Sequence, residues 1–143
     1  MKKIKRYLIK DEAVESFDVI GICTSQSDFR LAWQLNSKFG IKLQKAESNL
    51  EIPNKKSGDL EFFDYYYFQH PEDLISYYLI KNKQNARYVL TEKQSIDYAL
   101  ILHENYVVDG LELVDDLRNT EGIIAAFYFK SSEFSNESYL IFD

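Results

Sequence analysis

Glu92, Asp97 and His103 are the side chains of this sequence best suited to moving a proton, because acid–base work near neutral pH falls to a histidine or to an environment-shifted carboxylate. Their spacing argues against a shared task. His103 follows Asp97 by six positions, which on one regular strand sets the two about 20 Å apart at ~3.3 Å per residue. Cys23 closes the apolar run Val19-Ile20-Gly21-Ile22-Cys23 and reads as a small buried hydrophobe. A nucleophilic role needs a histidine beside it, and His70 and His103 are both remote in sequence. Two histidines and one cysteine also lack the paired spacing of a metal site. The five glycines form neither a phosphate loop nor a dinucleotide fingerprint. The expectation is a chain with no catalytic residue, no metal and no cofactor.

Composition narrows the partners. At 143 residues, 45% hydrophobic and 15% aromatic, the chain fits one packed domain over 1–143 and is too apolar to be a disordered acidic segment. A net charge of -6 and a pI near 5.0 repel phosphate backbones and anionic lipid, so nucleic acid is a poor partner. The basic start Met1-Lys2-Lys3-Ile4-Lys5-Arg6 runs into Lys10-Asp11-Glu12 before a signal-peptide apolar region can develop. No apolar run approaches the ~20 residues of a membrane span. These features point to a cytoplasmic protein with no membrane partner.

The elements that must position the acids are mostly strands. Phe17 to Cys23 is a β-branched run, and Ser25 to Asp28 offers capping oxygens to a helix over about 27–39 with Leu31, Ala32, Leu35 and Phe39 inward. Gly40 stops it. Residues 41–45 alternate as a strand, and the polar stretch 47–59, with Pro53, Asn54 and Gly58, reads as the longest loop. The aromatic run 60–68, a turn at 69–73 and the run 74–80 read as a hairpin. Residues 86–90 and 96–103 follow as strands. Asp109 caps a helix over about 109–119 whose inner stripe is Leu111, Val114 and Leu117. Residues 123–129 and 139–142 complete the strands. Strand, helix, strand over 96–129 suggests a parallel pair joined by a crossover. The fold class is α+β: a single, largely antiparallel sheet of 7–8 strands with two main helices covering one face.

Ring placement suggests a surface. Alternation sends Phe63, Tyr65 and Tyr67 to one side of their strand and Phe62, Tyr66 and Phe68 to the other. If helices cover one side, tyrosines remain on the other, and Tyr65, Tyr67 and Tyr77 become a candidate interface. Phe29 and Trp33, four apart on the first helix, either broaden its buried stripe or stand out as a binding anchor. Glu61, Asp64, Glu72 and Asp73 around the hairpin argue against base stacking. The expected function is a non-enzymatic protein-interaction or assembly module, a homodimer that uses the aromatic sheet surface.

The stretch Leu90-Thr91-Glu92-Lys93-Gln94-Ser95-Ile96-Asp97-Tyr98 resembles the defining motif of the bacterial IPExxxVDY family. Glu92, Asp97 and Tyr98 match by identity, Leu90 and Ile96 conservatively, and Thr91 stands where the family has proline. Asp28 to Asn36 is similar to that family's early helix, and the aromatic run with Tyr77 to Asn82 to its central hairpin. The resemblance covers about residues 17–103 and implies a small bacterial cytoplasmic protein; the family has no established activity, so no catalytic role is carried over.

Physically, Thr91 and Glu92 sit in a connection where side-chain oxygens accept backbone N–H bonds. Ile96, Tyr98 and Leu100 share a strand face, and Asp97, if buried, needs a partner such as Arg30 or Arg87. The alternative function is a small-ligand sensor or an enzyme with a pocket near Glu92 and Asp97.

Overall fold

Short β-branched and aromatic runs separated by turn residues make strands wherever a partner can satisfy their backbone. The computed structural model describes residues 17–54 and 56–130. Within them lie strands β1 (Asp18–Cys23), β2 (Gln44–Lys45), β3 (Leu50–Pro53), β4 (Leu60–Phe63), β5 (Tyr65–Gln69), β6 (Ser76–Lys81), β7 (Lys83–Gln84), β8 (Arg87–Tyr88), β9 (Tyr98–His103) and β10 (Ala125–Lys130), and helices α1 (Asp28–Phe39) and α2 (Gly110–Arg118). Six strands form the main sheet in the order β10-β1-β9-β6-β5-β2, every neighbouring pair antiparallel. β3–β4 and β7–β8 are separate two-stranded ribbons. The architecture is α+β with both helices on one sheet face.

That face holds the larger core. Leu31, Ala32 and Leu35 of α1 and Leu113, Val114 and Leu117 of α2 pack on Ile20, Ile22, Leu79, Tyr98, Leu100 and Leu102. Ser27 caps α1, its Oγ accepting from the Arg30 N–H, and Gly40 at φ 67° ends it with its N–H on the Asn36 carbonyl at 2.9 Å. Asp109 caps α2 by accepting from the Leu111 and Glu112 N–H groups. The opposite face is closed by the chain itself. Leu50, Ile52 and Phe63 of the β3–β4 ribbon, with Val89 and Leu90, cover Val19, Tyr78, Ile80, Ala99 and Ile101.

Several expectations are corrected. The aromatic run 60–68 is two strands, because both backbone groups of Asp64 leave the ladder to bond the Gln84 side-chain amide, at 2.8 and 3.0 Å. The polar stretch 47–59 contains β3, whose Leu50 and Ile52 face inward. β6 begins at Ser76, since Leu74 turns to φ 62° and is exposed. The strand expected over 86–90 shrinks to Arg87–Tyr88 (β8), because Asn85 and Ala86 both take positive φ and make the two-residue turn between β7 and β8. On α2, Leu113 replaces Leu111 in the buried stripe, because Leu111 lies about 200° around the helix from it. β9 and β10 do run parallel across α2, but β1 lies between them as antiparallel partner to both. The expected strand 139–142 and the basic segment 1–6 lie outside the described residues.

Candidate functional site

The motif resembling that of the IPExxxVDY family is built around a residue outside it. Asn82, fully buried, follows β6 and donates its amide to the carbonyls of Lys93 (3.0 Å) and Ile96 (2.8 Å) while its Oδ1 accepts the Leu90 N–H (2.7 Å). Its backbone adds two more bonds, N–H to the Asp97 carbonyl and carbonyl to the Val89 N–H, each 2.9 Å. One asparagine thus holds both ends of the 90–96 connection, and two successive turns, Lys93 N–H to Leu90 and Ile96 N–H to Lys93, fill its middle. Leu90 and Ile96 are buried by this, whereas Thr91 and Glu92 are exposed, with the Thr91 hydroxyl 3.2 Å from Glu92 Oε1.

Asp97 finds its partner in the backbone. Its Oδ2 accepts the Thr24 N–H at 2.9 Å, and Thr24 in turn donates its hydroxyl to the Gly122 carbonyl at 2.7 Å. The carboxylate therefore ties off the end of β1, a task that requires neither Arg30 nor Arg87, and Asp97 itself is exposed. Tyr98 is 1% exposed and donates its hydroxyl to the Gln26 carbonyl at 2.7 Å. Burial, then the nearby charges of Asp28 and Asp97, push its pKa up to about 12. Burial and Asp97 also raise the Cys23 thiol, the reverse of what a nucleophile needs.

Beside Asp97 opens a cleft of about 360 Å³. Thr24, Gln26, Lys81, Lys83 and Tyr88 share its wall with Asp97, and the Lys83 ammonium sits 5.9 Å from the Tyr88 ring centroid. Glu92 does not line it. His103 sits at the far end of β9, paired with Ser76 and edge-on to Phe17 at 6.3 Å, so the three candidate acid–base groups do not converge. Among the described residues no group of three or more His, Cys, Asp or Glu side chains could hold a metal ion. No described helix is long and apolar enough to cross a membrane.

The rings divide differently from expectation. Register places Tyr67 opposite Tyr78 and Phe68 opposite Tyr77, so Tyr77 lies on the helix face, buried, and cannot share a plane with Tyr65 and Tyr67. Those two flank Tyr78 on the other face, ring centroids 5.9 and 5.0 Å away. Tyr65 is half-buried there, and Tyr67 is 37% exposed. Tyr78 itself is held well above the ordinary tyrosine range by burial. Phe29 and Trp33 do not broaden the buried stripe of α1. They are 69% and 64% exposed, on the side away from Leu31 and Leu35.

Sequence reasoning missed Asn82, which looked like one more polar residue of a turn. The available signal was an asparagine two positions after the apolar run Tyr77 to Ile80, where a strand end needs its backbone satisfied. No protein family, curated protein or solved structure matches this chain.

Proposed function

We propose that this chain is a non-enzymatic protein-interaction module of the bacterial cytoplasm, kin to the IPExxxVDY family on the strength of Glu92, Asp97 and Tyr98, and that it docks its partner on α1. The observation that carries this reading is the exposure of Phe29 and Trp33. Two large rings one helical turn apart on the solvent side contribute nothing to the core, and tryptophan is the residue type most enriched at binding hot spots. The acids nearest to forming a site, Asp97 and Glu92, serve a strand end and an exposed turn instead. Tyr67, the more exposed candidate of the other face, reaches only 37%.

Site-specific photocrosslinking tests the reading. A benzophenone side chain placed at position 29 or 33 in living cells is expected to give discrete adducts that a control probe at exposed Glu72 does not. Identical adduct patterns at all three positions would rule the surface out.

A second reading, a small-ligand sensor or enzyme, is favoured by the cleft beside Asp97. Its lysines and carboxylate suit a small zwitterion or anion. Titration of the labelled protein with glycine, acetate and inorganic phosphate in turn would then move the Thr24, Lys81 and Lys83 amide resonances saturably. Flat titrations with all three remove this reading.

A further inference from the structure

The two helices present opposite chemistry to the same side of the molecule. Between residues 29 and 46 the sequence has four cations, Arg30, Lys38, Lys42 and Lys45, and no acid. Between 104 and 121 it has six acids, Glu104, Asp109, Glu112, Asp115, Asp116 and Glu121, against the single cation Arg118. Of the first set, Arg30 stands beside exposed Phe29 and Trp33 on α1, where Asp28 is the one acid, and Lys38, Lys42 and Lys45 follow at and beyond the helix end. The second surrounds exposed Leu111, 66% accessible on α2, and the neighbouring Tyr106 and Val107 at 87% and 61%. Arg118 is engaged at home, its Nε donating to the Ala126 carbonyl at 3.0 Å. Among the described residues, none of Arg30, Lys42, Glu112, Asp115 and Asp116 has an ion-pair partner. Lys45 is taken up by Asp64 at 3.7 Å, but these five charges, drawn from both sets, remain available, although the chain could have paired them internally.

We propose that this layer is self-complementary and that two copies of the chain associate helix layer to helix layer about a two-fold axis, α1 of each seated on α2 of the other. The inference rests on the reading of α1 as a docking surface and names its occupant. Because both helices lie on one sheet face, one rotation brings Phe29 and Trp33 of each copy against Leu111 of the other, and Arg30 against the Glu112, Asp115 and Asp116 carboxylates. Such a contact is closed, since each patch meets its complement once in each direction. Apolar contact would supply adhesion and charge would set the register.

Sedimentation and the emission of Trp33, the only tryptophan, read the outcome. At low salt the wild-type chain is expected to dimerise, with a concentration-dependent shift of that emission to shorter wavelength, and raising salt should weaken the dimer roughly tenfold as exposed charges are screened. Two paired variants follow: Arg30→Glu with Lys42→Glu, and Asp115→Lys with Asp116→Lys. Arg30→Glu puts an acid near the start of α1 and the two lysines put a base near the end of α2, as the helix dipole prefers, while Lys42 lies in the exposed connection after α1, so folding should be retained. Each alone should weaken association about tenfold or more, and an equimolar mixture of the two should restore it, because one α1–α2 contact of the mixed dimer is then wild-type and the other charge-reversed. A wild-type chain that stays monomeric, or a mixture no tighter than its components, overturns the proposal. So does a monomer whose Trp33 emission shifts only on phosphatidylserine vesicles, which would mark a lipid surface. Heterologous photocrosslinks from position 33 in a monomeric protein would defeat self-association while leaving the docking reading intact, and the absence of both defeats the two together.

Discussion

At the scale of single residues, Asn82 decides more of this molecule than any residue of the stretch 90–98. Its side chain satisfies three backbone groups in a region sealed from water, and no other residue type has one acceptor and two donors in so short a span. Asn82→Ala would leave the Leu90 N–H and the Lys93 and Ile96 carbonyls without that partner; at ~1–3 kcal/mol per buried unsatisfied group, partly relieved by water, we expect a loss of about 3 kcal/mol. Urea unfolding measures it, and a loss below about 1 kcal/mol would show that the connection holds itself. Asp97→Asn is the contrasting case: the carboxamide oxygen can still accept the Thr24 N–H, so the effect should be small. Sequence singled out Glu92, Asp97 and Tyr98 as a unit, and the structure assigns them three separate tasks. Local spacing records which residues sit near one another along the chain, whereas the Asp97–Thr24 and Tyr98–Gln26 bonds span more than seventy positions and leave no trace in it.

At the scale of elements, the caps, the periodicity of α1 and the β5–β6 hairpin were legible, and the pairing of strands distant in sequence was not. Ser27 and Gly40 bracket α1, and Asp109 opens α2, as their side chains and conformational freedom require. The insertion of β1 between β9 and β10 depends on which distant strands meet, a matter of global packing. Gly110, the first residue of α2, shows how the two levels compete. Alanine there should favour the helix by up to ~1 kcal/mol. Its Cβ, however, would lie 2.6 Å from the Tyr128 ring, whose hydroxyl donates to Asp18 Oδ1 at 2.6 Å. Displacing that ring costs ~1–3 kcal/mol as overpacking, so Gly110→Ala should be net destabilising. The same substitution in a Tyr128→Leu background should recover or exceed the parent's stability. If thermal denaturation shows Gly110→Ala stabilising in the native background, the close approach of helix and ring is not tight in solution.

At the scale of the whole molecule, the sheet is a store of protonated tyrosines. Tyr66, Tyr77, Tyr78 and Tyr98 all have pKa values raised above the ordinary 10, burial being the largest cause for each. The aromatic richness was plain in the sequence, but the expectation of a tyrosine-lined open sheet face was met only in part, because the β3–β4 ribbon closes that face over Tyr78, and the most exposed rings are instead Tyr106 ahead of α2 and Phe29 and Trp33 on α1. Enclosure fixes the sign of the alkaline response. Between the unfolded value near 10 and the higher folded values, the folded chain binds more protons than the unfolded one, so unfolding free energy falls as pH rises. Stability from these groups is whole below pH 10 and is lost through about 12 for Tyr98. Urea midpoints measured from pH 8 to 12 should therefore hold level and then drop, with the rise of tyrosinate absorbance following the loss of structure for the buried rings. Tyr98→Phe lacks an ionisable hydroxyl and forfeits the bond to Gln26. It should start lower at pH 8 and decline less steeply above 10. Parallel declines in the two proteins would mean that Tyr98 ionises as easily in the fold as out of it, and that the Gln26 carbonyl and the surrounding core do not hold its proton.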